Sequence, residues 1–196
     1  IKVPKKASVT VNNRNGGVEI TELTGDQDVE NAFGRVSLGS ITGNVRIQSR
    51  NDTVSLENIS GSANINNEFG NVGAKHVMGA LDVRHRNGDL EIEDVRGNAK
   101  LVNSYGSIVV KGVAGTLSVD TKNTSVDAAD VESDVTVSGQ YQNVTLARIK
   151  GAVNVQTRNG NVELRYEQPP RKNIQLKTEY GNVVLGLPES SAFSID

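Results

Sequence analysis

The chain has 196 residues, no cysteine, 4% aromatic residues and a formal net charge of −2. This composition excludes disulfides and thiolate metal sites, and the absence of a basic excess argues against a nucleic-acid binder. No apolar run reaches the ~18 residues that a membrane-spanning segment needs, and a core of Val, Ile, Leu and Ala favours strands.

Glycine recurs along the whole chain at intervals of 18 residues. A first glycine column runs from Gly16 to Gly160, and a second glycine column, nine residues later, runs from Gly25 to Gly151. Both columns are predicted to be turns in which glycine permits a positive φ. Three positions of the first column carry other residues that are also predicted to be turn residues: Asp52, Thr124 and Gln142.

Apolar residues keep fixed places relative to the first glycine column. They lie two, four and seven places after it, as in Val36, Leu38 and Ile41, and again eleven and thirteen places after it, as in Val45 and Ile47. The spacing of two within each pair is the strand period, and no helical period persists. Each 18-residue unit is therefore expected to hold short strands that bury their apolar face by stacking on the next unit.

The predicted fold is all-β: a single-stranded parallel β-helix, or β-solenoid, with 18 residues per coil and about ten coils. At a strand spacing of ~4.8 Å this gives a rod roughly 48 Å long. One domain is predicted over 1–196, with capping segments at 1–8 and 186–196. A short insertion around 167–173 places Gly181 three residues later than the period requires.

A polar column lies fifteen places after the first glycine column, in phase with the inward apolar residues. We interpret it as an internal polar ladder at a corner, whose side chains bond turn backbone and their counterparts in adjacent coils. The alternative interpretation is a row of ligand-binding side chains, which requires that they line a groove. The members of this polar ladder are Asn13, Asn31, Ser49, Asn67, His85, Asn103, Thr121 and Thr157.

The next two columns alternate with a period of 36 residues. One set of coils carries a cation followed by Asn, and the other set carries an aromatic residue at the Asn position. Packing of each aromatic beside the smaller Asn is one explanation, and a binding surface for a glycan or another polymer is the other. This surface stripe consists of Arg14, Arg50, Arg86, Lys122, Arg158, Phe33, Phe69, Tyr105 and Tyr141.

No set of residues in the sequence resembles a catalytic or metal site, and no cofactor is expected. His76 is predicted to face solvent next to a turn, and no cysteine accompanies the two histidines as a metal ligand. Carboxylates such as Glu91 and Glu93 fall mostly at outward strand positions. Paired carboxylates serve polysaccharide-cleaving enzymes, but the short turns here provide no walls for a cleft.

The repeated segments Arg14–Ile20, Arg86–Ile92 and Arg158–Leu164, each followed by an apolar-x-Gly turn, resemble the bacterial putative-adhesin β-repeat family, also called the toastrack domain. The segments Val3–Val9 and Leu187–Phe193 are similar to the ends of that family's domains. The resemblance implies a right-handed parallel β-helix in a bacterial protein of the cell envelope, whether periplasmic, surface-anchored or secreted. It also implies that the chain is part of a longer protein.

Two classes of function fit these observations. The first is a non-enzymatic adhesion, interaction or scaffold module that binds a protein or an envelope polymer, with possible self-association through the ends or edges of the solenoid. The second is a carbohydrate-binding or polysaccharide-degrading β-helix, and an envelope-stress sensing domain is a further alternative. Neither a nucleic-acid partner nor a membrane span within the chain is expected.

Overall fold

A computed structural model describes residues 4–191, and all the regular elements in that range are β-strands. Within the same range no helix is long and apolar enough to cross a membrane. The strands in chain order are β1 (Val9–Asn15), β2 (Val18–Thr21), β3 (Gln27–Phe33), β4 (Val36–Ile41), β5 (Val45–Asn51), β6 (Val54–Ile59), β7 (Ala63–Phe69), β8 (Val72–Val77), β9 (Leu81–Asn87), β10 (Leu90–Val95), β11 (Ala99–Val113), β12 (Leu117–Val131), β13 (Val135–Ser138), β14 (Val144–Ile149), β15 (Val153–Asn159), β16 (Val162–Arg165), β17 (Ile174–Tyr180) and β18 (Val183–Gly186).

Strands pair in parallel with their equivalents one coil away, so the predicted solenoid of 18-residue coils is confirmed. β3 pairs with both β1 and β5, and Val29 lies opposite Val11 and Ile47. The shorter strands form a second stack in the same way, because β4 pairs with both β2 and β6. β11 and β12 are long enough to belong to both stacks. About ten coils result, as the period predicts.

The insertion changes the register once. Val153 pairs with Ile174 and Val162 with Val183, so the partners there are 21 residues apart instead of 18. The extra residues lie outside the regular coil, between β16 and β17, and the parallel stacking of strands resumes at β17. Of the two predicted capping segments, residues 1–3 and 192–196 lie outside the described part of the chain. Lys6 already pairs with Thr24, and Gly186 still belongs to β18.

The core lies between the two stacks and is built from the inward columns. Val29, Ile47 and Val83 are fully buried in the longer strands, as are Val36 and Leu38 in β4. The burial follows from the strand period, since every second residue points inward and finds a similar side chain in the coils on either side. The inward positions predicted from the sequence are therefore the positions that form the core.

Within the described residues, a left-handed residue forms a corner in eight of the coils, and the sequence patterns did not predict it. It sits six places after the first glycine column and has φ between 53° and 77°. In β4 this corner falls at Ser40, between Leu38 and Ile41, and it lets two side chains three residues apart both point inward. Its members are Glu22, Ser40, Asn58, His76, Asp94, Gly112, Asp130 and Arg148.

Close approach between coils requires glycine in both columns, and a positive φ is a second requirement in most of the first column. Most residues of the first column have a positive φ, between 96° and 145°, and Asp52 shares this conformation at 134°. In the second column only Gly25 and Gly43 do. The coils approach closely in both columns; in the second, a Cβ on Gly79 would lie 2.6 Å from the backbone carbon of Gly61. The prediction of positive φ is therefore wrong for most of the second column, where close packing requires glycine.

Candidate functional site

The polar ladder lies inside the solenoid. Seven of its eight members are buried with at most 8% of their surface exposed, and Asn13 in the first coil is half-buried. The side-chain amide of Asn31 donates to the carbonyl oxygen of Gly34 at 2.7 Å and to that of Gly16 at 3.2 Å. Asn13 donates to the side-chain oxygen of Asn31 at 2.9 Å. The ladder thus satisfies turn carbonyls, and its buried members do not line a groove.

His85 is the one histidine in this ladder. Its Nδ1 lies 2.9 Å from the carbonyl oxygen of Asn67 and donates its proton there, whereas Nε2 is buried with no partner among the described residues. Burial lowers the pKa of His85, because the charged ring would lose its hydration. The ring is therefore neutral at pH 7, and the arrangement serves as structure rather than as a proton donor to a substrate.

At one place in the solenoid, both the polar ladder and the first glycine column carry a different residue from the usual one. Gly139 occupies the ladder position there, and Gln142 occupies the first glycine column. The Gln142 side chain is buried and fills the space that Gly139 leaves, since a Cβ on Gly139 would overlap its amide oxygen. That oxygen accepts a hydrogen bond from the Thr121 hydroxyl. The interpretation as a turn residue is wrong for Thr124, which lies within β12, whereas Gln142 lies in the connection between β13 and β14 with its side chain buried.

Two further ladders, one place and ten places after the first glycine column, run along the outside of the solenoid and were missed from the sequence. In each, a short polar side chain accepts a hydrogen bond from the backbone N–H of its counterpart in the next coil. Asn44 N–H donates to Asp26 at 2.7 Å and Ser62 N–H donates to Asn44 at 2.9 Å. The signal was available, because Asp, Asn and Ser recur ten places after the first glycine column.

The surface stripe consists of two adjacent columns on the outer face. Phe33 lies directly opposite Asn15 and Asn51, and Phe69 lies opposite Asn51 and Asn87. The same alternation continues through Tyr105 and Tyr141 and ends at Tyr180, which pairs with Asn159. Aromatic residues are therefore separated by two coils, about 9.6 Å at the spacing of parallel strands.

The aromatic side chains of the stripe are open to solvent. Phe33, Phe69, Tyr105 and Tyr141 are 40–54% exposed, and Tyr180 is 70% exposed. Asn residues lie opposite these aromatic residues in adjacent coils, and 40% or more of the surface of each aromatic residue stays exposed. Among residues 4–191 these five, together with Met78 and the apolar residues of β18, are the large apolar side chains at the surface.

The cations of the stripe fall into two groups. Arg50 pairs with Glu68 at 3.5 Å and Arg158 pairs with Glu179 at 3.2 Å, both one coil away. Arg14, Arg86 and Lys122 are exposed and form no ion pair within the described part of the chain. Such exposed pairs contribute at most about 1 kcal/mol, so even the paired arginines can exchange their partners for a ligand.

Two concave regions lie away from the stripe. A shallow groove of about 730 Å³ follows the outward residues of the longer strands in the first coils, among them Asp28, Arg46 and Asp82. A pocket of about 590 Å³ lies under the insertion, between Arg148 and Tyr166. Arg148 contacts Asp130 at 2.8 Å and lowers the pKa of that carboxyl, and burial raises the pKa of Tyr166 to about 12.

The described residues bring together no group of three His, Asp or Glu side chains that suits a metal ion. Glu91 and Glu93 both contact Lys75 at 3.2 Å on the open face of the shorter strands. His76 lies at the left-handed corner, half-exposed, 3.7 Å from Asp94. These charged groups form exposed pairs with one another, which is typical of a solvated sheet.

Comparison with known proteins identifies the family. The family model described as Toastrack DUF4097 matches residues 79–196, which is more than half of the chain. No curated protein and no solved structure matches the chain. The matched range includes the coils of Tyr105, Tyr141 and Tyr180, and thus part of the surface stripe. The chain therefore belongs to the Toastrack family DUF4097, a domain family of unknown function, and has a β-solenoid fold.

Proposed function

We propose that the chain is a non-enzymatic interaction or scaffold module of the bacterial cell envelope, in a periplasmic, surface-anchored or secreted protein. The observation that carries the proposal is the surface stripe, in which exposed aromatic and basic side chains repeat along the whole solenoid. Repeat proteins use such continuous surfaces to bind extended partners. The proposed location rests on the resemblance of the repeated segments to bacterial envelope domains.

The coil geometry supports binding rather than catalysis. Each coil turns within a few residues, so none of residues 4–191 forms a loop that closes over a molecule bound to the stripe. The insertion at 167–173 forms a wall, but the charges beneath it are paired, with Arg148 between Asp130 and Glu167. A partner bound to such an open surface stays in contact with water. Enzymes strengthen their electrostatic interactions with a substrate by excluding water, so an open surface suits binding better than catalysis.

The test uses isolated bacterial envelope fragments. Purified protein is mixed with fragments that contain peptidoglycan, wall polymers and membrane, the amount that sediments with them is measured, and soluble sugar in the supernatant is quantified over time. We expect saturable retention and no release of sugar. Release that depends on the protein would overturn the proposal in favour of a polysaccharide-degrading enzyme, and the absence of retention would overturn the interaction form of the proposal.

A second measurement addresses self-association. Both end coils present strands with an unpaired edge within the described residues, and β18 exposes Val183, Val184 and Leu185. Sedimentation velocity over a wide concentration range reports the solution size. A scaffold that assembles through its ends is expected to grow with concentration. A strict monomer that also fails to bind envelope fragments would contradict both forms of the proposal.

A further inference from the structure

We propose that the surface stripe binds one linear, extended polysaccharide that carries a carboxylate on every second sugar. This inference rests on the proposed function as an interaction module and assigns the chemistry of its partner. It concerns the aromatic column from Phe33 to Tyr180 and the cation column from Arg14 to Arg158.

The spacing of the stripe matches a disaccharide. Phe33 and Phe69 lie in coils 36 residues apart, with Asn51 paired between them, which places them about 9.6 Å apart along the solenoid. The cations Arg50 and Arg86 have the same spacing and are offset from the rings by one coil. A disaccharide of an extended β-1,4-linked glycan has nearly this length. Each repeat of such a polymer therefore meets one aromatic ring and one cation.

The exposed rings suit the face of a sugar. A pyranose ring presents C–H groups on its faces and hydroxyl groups at its edge, so it stacks on an aromatic ring and keeps its hydroxyls free for hydrogen bonds. Tyr105 and Tyr141 each have about half of their surface open for this contact. The Asn residues in the alternate coils, such as Asn87 and Asn123, offer amide donors and acceptors to the hydroxyls of the next sugar.

The charge of the stripe favours an anionic partner. Its five cations face only two acids, Glu68 and Glu179, although the whole chain has a net charge of −2. The outward columns on one side are balanced and those on the other carry one more acid than cation, so the positive excess is confined to the stripe. The charged residues of those flanking columns are Glu30, Arg84, Asp120 and Lys177 on one side and Asp52, Arg35 and Asp89 on the other.

The density of this charge distinguishes an acidic glycan from a nucleic acid. One cation for about 9.6 Å of solenoid matches one carboxylate for each disaccharide. Each strand of a nucleic-acid duplex carries one phosphate for about 3.4 Å of helix axis, so roughly two of every three phosphates would meet no cation. The shallow groove is a weaker candidate, because its charges alternate in sign from Asp28 to Arg46 and its lining residues include no aromatic ring.

The closing experiment measures binding to defined polymers by isothermal titration calorimetry. The probes are peptide-free peptidoglycan glycan strands and hyaluronan, which both carry one carboxylate for each disaccharide, neutral chitin oligosaccharides, and polyuridylate. We expect the two carboxylated polymers to bind most tightly and their affinity to rise with chain length. Failure of both, or equal binding of the neutral chitin oligosaccharides, would overturn the inference. Tighter binding of polyuridylate would replace it with a nucleic-acid track.

Matched variants locate the binding surface. Phe69→Asn combined with Tyr105→Asn gives each position the residue that neighbouring coils already carry, and should weaken binding about tenfold or more. Met78→Asn removes an exposed apolar side chain elsewhere and serves as the control. Arg86→Gln should weaken binding about threefold, against no change for Lys111→Gln. Circular dichroism confirms that each variant is folded.

The outcomes also separate this inference from the proposed function. If the Phe69→Asn/Tyr105→Asn variant sediments with envelope fragments as well as the original protein does, the module binds through another surface. In that case the interaction function stands and the glycan track is wrong. If the variant loses both retention on fragments and binding to the carboxylated glycans while the Met78→Asn control keeps them, both proposals stand together.

Discussion

Exchanging Gly139 and Gln142 for the residues of the regular repeat tests how the buried polar ladder is built. In most coils the ladder position holds Asn, Ser, Thr or His and the first glycine column holds Gly, whereas this coil has the opposite arrangement. Gln142→Gly removes the side chain that accepts a hydrogen bond from the Thr121 hydroxyl. Gly139→Asn adds a side chain to the space that Gln142 already fills. The double variant restores the common pattern in which Asn bonds turn carbonyls.

The expected energies follow from burial. Gln142→Gly leaves the Thr121 hydroxyl without its partner inside the core and opens a cavity, which should cost about 2 kcal/mol. Gly139→Asn overpacks the same space and should also cost about 2 kcal/mol. Independent effects would sum to about 4 kcal/mol, but we expect the double variant to lie within about 1 kcal/mol of the original protein. The coupling energy is then about 3 kcal/mol.

Urea unfolding of the four proteins, followed by circular dichroism, provides the free energies of unfolding. Equal m-values are required for the comparison, because a solenoid can unfold in parts. A double variant destabilised by the sum of the two single changes would refute the reasoning, since it would show that the two side chains do not share one space. Equal stability of Gln142→Gly and the original protein would refute it as well.

Three further substitutions test the fold. Ile47→Asp buries an unpaired charge and should lower the free energy of unfolding by more than about 4 kcal/mol, as thermal unfolding would show. Gly97→Ala should cost about 1–3 kcal/mol in urea, because its Cβ would meet the Gly79 backbone at 2.5 Å. Burial lowers the pKa of His85 in the folded protein, so the unfolded chain binds a proton at a higher pH than the folded protein does. The free energy of unfolding should therefore fall as the pH drops below 6.5. In His85→Asn that part of the pH dependence, measured by urea unfolding, should disappear.

Each of these changes has a control in the chain. Ser55→Asp places the same charge on the outer face of β6 and should change stability little. Gly73→Ala adds a Cβ in open space at an ordinary φ and should be neutral or slightly stabilising. Equal losses at Ile47 and Ser55 would contradict the inward register. An unchanged pH profile in His85→Asn would show that other groups set the acid stability.

Much of the candidate site was predictable from the sequence. The period of 36 residues already placed Phe69, Tyr105 and the alternating arginines in adjacent columns, since residues one period apart must stack in a solenoid. Their exposure was not predictable, because an aromatic at a corner either packs over its neighbours or points into solvent according to the shape of the turn. The ion pair between Arg50 and Glu68 likewise depends on side-chain conformations that the repeat does not encode.

The sequence by itself determined the coil length, the inward faces and the register, because a strand alternates every two residues and identical units stack most closely in phase. Only the tertiary structure decided why a given column is glycine. It also decided where the left-handed corner at Ser40 lies and how Gln142 fills the space above Thr121. The close approach at the glycines and the position of Gln142 depend on distances between coils, and the corner at Ser40 depends on a backbone conformation that residues other than glycine adopt here.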